Sequence, residues 1–241
     1  MLATRPKGRH YPFLARRSHA ERGRLAITVE TALREAILNL DLQPGTMLDK
    51  QVICERLHVS RSPVVAAIAR LAEEGLLEVL PQRGTRVTRI ALADIRQQLF
   101  IRRALEAEAA GAIAESVADA VLDALDANLE AQQRAVEAQD ERGFHALDLQ
   151  FHEILLDALN LPRVKAVVGS ARNALDRARR LMATPSRIRG TLAEHVRVVK
   201  ALRKRDAQAA AEAMRAHLDA VAKELHRFAR ARPDLFDGAQ A

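Results

Sequence analysis

Residues Val59–Ile90 read VSRSPVVAAIARLAEEGLLEVLPQRGTRVTRI. This stretch holds a helix start, a glycine stop, two short apolar runs and a basic turn. Ser60 and Ser62 are natural helix N-caps, and Pro63 suits a first turn, where its missing N–H costs nothing. Gly75 supplies the stop, because glycine enters the left-handed region without a steric penalty. LLEVL and TRVTRI then read as two strands, with PQRG as their turn. Upstream, Leu25, Val29, Leu33, Ile37 and Leu40 recur every three to four residues and mark one helix face. Pro44-Gly45 breaks that helix. The run from Asp49 to Val59 predicts a short second helix with Val52, Ile53 and Leu57 inward. Residues 25–90 are therefore predicted to fold as helix, helix, helix and a two-stranded wing.

Two short helices joined by a tight turn and followed by a hairpin make a winged helix-turn-helix. The second helix of such a pair enters the DNA major groove, where its N-terminal residues reach base edges and phosphates. Ser60, Arg61 and Ser62 hold that position. Arg61 can fork onto a guanine or a phosphate. The wing turn presents Arg83 beside Gly84, suited to a phosphate or the minor groove. Singly, SRSP is a cap and PQRGT a turn; their order along the chain points to double-stranded DNA.

Composition bounds the rest. The chain has 241 residues, 49% hydrophobic and 3% aromatic, with no Trp. Ala, Leu, Arg and Glu dominate, which predicts a mainly α protein. Cys54 is the single cysteine, so no intrachain disulfide forms, and a cytoplasmic location is expected. No apolar run approaches a membrane span, and no secretory signal precedes the first helix. The net charge is +7, gathered at the start: residues 1–24 hold seven Lys/Arg and one acid, Glu21. That segment reads as a basic, flexible arm, which attracts phosphate or is simply solvated.

From residue 91 to 232 the pattern is helical. Segments starting at Ala93, Val117, Glu141, Arg163, Arg187 and Ala207 are separated by short breaks. Six helices with short connections predict an antiparallel bundle, and residues 233–241 read as a tail. Within HALDLQFHEILLDAL, Asp148 and His152 stand four apart and share a stripe with Leu155 and Leu159. A buried carboxylate needs a partner. His195 and His217 each sit in an apolar stripe of a later helix. An Asp and three His from three helices make a divalent-metal site, of the zinc, nickel or manganese type. Any one of the eight histidines read alone is an ordinary surface or core residue. An Asp/His₃ site with open positions also suits a metal-dependent enzyme that activates water, although no nucleophile or general base stands beside the four residues.

The run from Leu33 to Ile90 resembles the DNA-binding domain of the GntR family of bacterial transcription regulators. The matching motifs are PGTML, LHVSRSPV, AIARLAEEGLL and PQRGTRV. The resemblance implies DNA contacts at Ser60, Arg61, Ser62, Arg70, Arg83 and Gly84. One departure stands out: the family pattern after SR[ST]PV reads Arg-Glu-Ala, and here Val65-Ala66-Ala67 replaces it. Residues 92–230 resemble the FCD ligand-binding domain of the FadR subfamily, through IRRALEAEAAGAIAE, DLQFHEILLDALN, EHVRVVKAL and AAEAMRAHL. That resemblance implies metal ligation by Asp148, His152, His195 and His217. It also implies pairing of an effector carboxylate with Arg102, and it counts against a metal-free, fatty-acyl-responsive regulator. Arg172 and Asn173 are further pocket candidates. The expected protein is a homodimeric, metabolite-responsive repressor that binds operator DNA, a divalent metal and a small carboxylate, and it is not an enzyme.

Overall fold

A computed structural model of the chain describes Tyr11 and residues 22–238, without the side chains of residues 22–24 and Asn173. The chain divides into two compact units. One comprises the residues up to Ile90 together with Asp234–Asp237, and the other runs from Ala91 to Pro233.

The first unit contains α1 (Arg22–Leu38), β1 (Met47–Leu48), α2 (Lys50–Leu57), α3 (Arg61–Glu73), β2 (Leu77–Leu80) and β3 (Gly84–Val87). Its core forms where Val29, Leu33 and Ile37 of α1 meet Ile53 of α2 and Val64, Ile68 and Leu71 of α3. Asp49 starts α2 by accepting from the backbone N–H of Gln51 (3.0 Å) and Val52 (3.2 Å), the N-cap chemistry its short carboxylate allows. Ser60 occupies the N-cap of α3, but its side chain makes no capping bond. At the other end Glu74 is the cap and Gly75 the residue beyond it, left-handed at φ +73°.

The wing forms, with β2 antiparallel to β3 from Leu77↔Val87 to Leu80↔Gly84; its second strand starts at Gly84, read as turn, and stops at Val87, short of the expected Ile90. The sheet also has a strand that no sequence period announced: β1 pairs with β3 through Met47↔Arg86 and Leu48↔Thr85. A two-residue strand is too short to carry an alternation, so only its partner defines it. The basic arm expected over 1–24 lies mostly outside the described residues. Tyr11, within it, is buried in the core of the first unit, and its Oη accepts from Asp49 N–H at 3.0 Å.

The second unit holds α4 (Leu92–Ala114), α5 (Asp119–Glu137), α6 (Glu141–Leu159), α7 (Pro162–Leu181), α8 (Pro185–Arg203) and α9 (Ala207–Ala231). The expected breaks are in place. Asn160 leaves α6 in the left-handed region at φ 54°, and Pro162 and Pro185 open α7 and α8. α4 packs against α9 and α7, α8 against α9, and α5 against α6 and α8. The stretch read as a tail is partly structured instead, and Asp234–Asp237 belongs to the first unit. Leu235 and Phe236 are buried, and β5 (Phe236–Asp237) pairs with β4 (Ile90–Ala91). Two large apolar side chains after a helix end gain by finding cover. Among the described residues no helix is long and apolar enough to cross a membrane.

Candidate functional site

Asp148 and His152 on α6, His195 on α8 and His217 on α9 converge inside the second unit. All four are buried, and one ligand atom from each lies within 4.8 Å of the others. The helix phase that aligns Asp148 with His152 also aims them away from solvent. Phe151 stacks on the His195 ring at 3.9 Å between centroids, which fixes that imidazole's plane.

Each of the four side chains is gripped from behind. Gln132 Oε1 lies 2.9 Å from His195 Nδ1, and Glu194 Oε2 lies 2.8 Å from His217 Nδ1. Glu106 Oε2 sits against His152 Nδ1, and Arg179 donates to Asp148 Oδ2. Such outer partners set the tautomer and direction of ligating imidazoles. Facing inward, Asp148 Oδ1, His195 Nε2 and His217 Nε2 have no hydrogen-bond partner. Buried polar atoms are rarely left so, and three lone-pair atoms aimed at one point are what a divalent cation requires. The donor set thus fits a metal.

Burial holds the imidazoles neutral, the form that ligates. It pushes His152 down to about 4, outweighing the opposing pull of Glu106. It depresses His195 well below the usual range with help from His217, and it outweighs Glu194 to lower His217. Burial raises the carboxyls of Asp148 and Glu106, but neighbouring guanidiniums win. Arg179 holds Asp148 low, and Arg102, with a hydrogen bond from His152, holds Glu106 low. Both acids stay charged.

Arg102 is fully buried, so it is no solvated helix residue. Its Nε donates to Glu106 Oε1 at 2.5 Å, its Nη2 lies 3.4 Å from His152 Nε2, and its Nη1 has no partner. Arg172 is buried too. Its Nη2 donates to the Leu149 carbonyl at 2.5 Å while Nε has no partner. The side chain of Asn173 lies outside the described residues. A cavity beside the cluster is lined by Phe144, His145, Asp148, Arg179 and Thr191, and neither Arg102 nor Arg172 reaches it. His145 Nε2 is engaged by Asp176.

Sequence reasoning missed Glu106, Gln132, Arg179 and Glu194, the groups that aim the three imidazoles and Asp148. Signals existed for two. Gln132, with Asn128, interrupts the buried face of α5 that Leu122, Leu125 and Ala135 otherwise keep apolar. Glu106 stands four residues after Arg102, at ion-pair spacing. Nothing local marked Arg179 among the arginines of α7.

In the first unit a groove of about 750 Å³ runs between the start of α3 and the wing, lined among others by Lys50, Arg61, Val65, Arg83 and Gly84. Ser60 and Ser62 are exposed beside it. Gly84 has φ +107°, a turn geometry that favours glycine. Arg70 stands apart from this group. It lies in the last turn of α3, and its Nη1 is 2.9 Å from Glu30 Oε2.

The sequence profile of the FCD domain matches residues 97–220, and that of the bacterial regulatory proteins of the gntR family matches 25–87. The chain is 31% identical over 208 residues to the HTH-type transcriptional repressor RspR of Escherichia coli (strain K12), covering 85% of this chain and 90% of that one. It is 29% identical over 204 residues to the HTH-type transcriptional regulator LutR of Bacillus subtilis (strain 168), covering 76% and 92%. The E. coli McbR/YncC structure shares the fold at a TM-score of 0.63 and 21% identity, covering 85% of this chain and 98% of that one.

Proposed function

For a chain that belongs to the gntR family of bacterial regulatory proteins and carries an FCD domain, we propose a repressor whose grip on its operator is set by a metal and a small organic acid. Membership of that family makes it a DNA-binding transcription regulator, not an enzyme. We read residues 25–90 as the DNA reader and 91–232 as the sensor. Two copies put two readers on a two-fold operator, the arrangement that a symmetric dimer imposes on DNA. Lys50, Arg61 and Arg83 supply charge for the phosphates, and Ser60, Ser62 and Gly84 allow close approach. Arg70, engaged with Glu30, contributes least.

In the sensor, Asp148, His152, His195 and His217 would hold a zinc-, nickel- or manganese-type ion, which when bound supplies a positive centre for an acid's oxygen. Charge balance supports an anionic effector. Three guanidiniums, of Arg102, Arg172 and Arg179, are matched by three carboxylates, of Glu106, Asp148 and Glu194, so the protein's own charges balance. A bound divalent ion would add a positive surplus. Arg102 Nη1 and Arg172 Nε have no partner but lie outside the cavity, which Arg179 lines; a carboxylate that pairs with either, as arginine is well matched to do, must rearrange the packing around it. The surplus favours an effector with more than one acidic group.

The observation that carries this reading is the set of inward lone pairs on Asp148, His195 and His217, each held from behind by another side chain. Two measurements test it. Metal analysis of the purified chain should find about one divalent ion per copy, and His152→Ala should lose it; retained stoichiometry refutes the ligand set. Fluorescence anisotropy on operator DNA should then show the acid weakening binding, by the roughly 5- to 150-fold typical of coupled sites. Malate should outperform lactate. An operator affinity indifferent to every acid tried would end the sensing half.

A further inference from the structure

The outward face of α3 is apolar in its middle turn, between polar groups at either end. Val64, Ala67, Ile68 and Leu71 turn inward to the core. On the opposite side Ser62, Val65 and Ala69 are exposed, three and four residues apart, with Ala66 half-buried beside them. Val65 is 53% exposed and lines the same groove as Lys50, Arg61 and Arg83. The basic groups and the serine hydroxyls cluster at the helix start and on the wing. Between that first turn and the exposed Arg70 and Glu73 near the helix end, this face offers methyl groups.

That matters in a major groove. Guanine presents two acceptors there, cytosine an amino donor, and adenine an acceptor and a donor. A valine pressed against any of these removes water from a polar edge and returns no hydrogen bond, a loss per group comparable to an unmade bond. Thymine alone adds an apolar group, its 5-methyl, beside its single acceptor. Burying methyl against methyl is favourable, and binding there excludes the other bases by leaving their edges unpaired.

We propose that Val65, extended by Ala69, is a specificity-determining residue that recognises a thymine 5-methyl group in each operator half-site. This rests on α3 being the helix that enters the groove. Arg61 and the wing then supply orientation and phosphate contact, while the valine selects T·A at the base step it covers.

The test uses the full-length chain and a duplex chosen by its own binding from a randomised library. Each thymine of one half-site is replaced in turn by deoxyuridine, which deletes only the methyl, and affinity is read by fluorescence anisotropy. One or two positions should bind about fourfold more weakly, the effect of roughly one buried methyl-sized group. With Val65→Ser, a change at an exposed position, the same replacement should cost nothing. If no thymine shows a methyl effect that Val65→Ser abolishes, while Arg61→Ala still weakens binding, the valine assignment is wrong. If Arg61→Ala also leaves binding unchanged, α3 is not the reading helix and both readings fall together.

Discussion

Helices α3 and α6 are built from the same 3.6-residue period, yet they put their chemistry on opposite sides. α3 buries Val64, Ile68 and Leu71 and shows solvent Arg61, Ser62 and Val65. α6 buries its chemistry with its apolar side chains: Asp148 and His152 share the interior with Phe151 and Leu155. On α3, the core and the exposed polar groups are different residues. On α6 the polar cluster shares the buried face, so its side chains must be compensated by Glu106, Gln132, Glu194 and Arg179 wherever a lone pair or charge would otherwise be stranded. The head can therefore change its DNA partner at little cost to stability. The bundle cannot exchange its polar cluster so cheaply.

The comparison breaks most readily at Arg102. Replacing it with alanine leaves the buried Glu106 carboxylate with only the neutral His152 imidazole beside it, and losing the charged partner of a buried pair costs about 3–5 kcal/mol. Urea unfolding of the metal-free chain should show that loss; an unchanged midpoint would mean the interior tolerates lone charge and the contrast is false.

Acid should act next. The folded state holds His152 down to about 4 against an ordinary 6.5. Below 6.5 the unfolded chain therefore takes up a proton that the folded chain refuses. Stability should fall as pH drops from about 6.5 towards 4, by roughly 3 kcal/mol at most from this residue. A metal-free chain equally stable at both pH values would contradict a neutral, buried imidazole.

On the outward helix the expectation reverses. Arg61→Ala should weaken operator binding by about 1–3 kcal/mol and flatten the salt dependence, yet leave the thermal midpoint unmoved. A shifted midpoint would show that the head, too, mixes folding with function. The smallest effect belongs to Arg70, half-exposed against Glu30. Arg70→Ala should change stability by less than about 1 kcal/mol, as exposed ion pairs do, and move operator affinity less than Arg61→Ala does.

Much of this was legible beforehand because the signals are local. Pro44-Gly45, Gly75 and Pro162 punctuate the chain wherever they stand, and apolar residues spaced every three to four residues bury one face of a helix in almost any context. Asp148 and His152 announced themselves for the same reason, being four apart on an otherwise apolar stripe. β1 and β5 did not, since two residues carry no period and acquire a structure only from the strand that meets them. Tyr11 lay in a basic segment whose composition suggested a phosphate-attracting or solvated arm, not a core residue.

The sequence by itself determined the order of helices and turns, the sign and place of the charge, and which side chains were candidates for a ligand set. Only the tertiary structure decided that His195 and His217 meet Asp148 and His152 with their Nε2 atoms inward, that Arg102 is committed to Glu106, and that Arg179 rather than another arginine of α7 holds Asp148. The physical reason is that a helix's own period fixes the direction of a side chain about its axis. What that side chain touches is fixed by the packing of helices far apart along the chain, and burial then turns each contact into a matter of several kcal/mol.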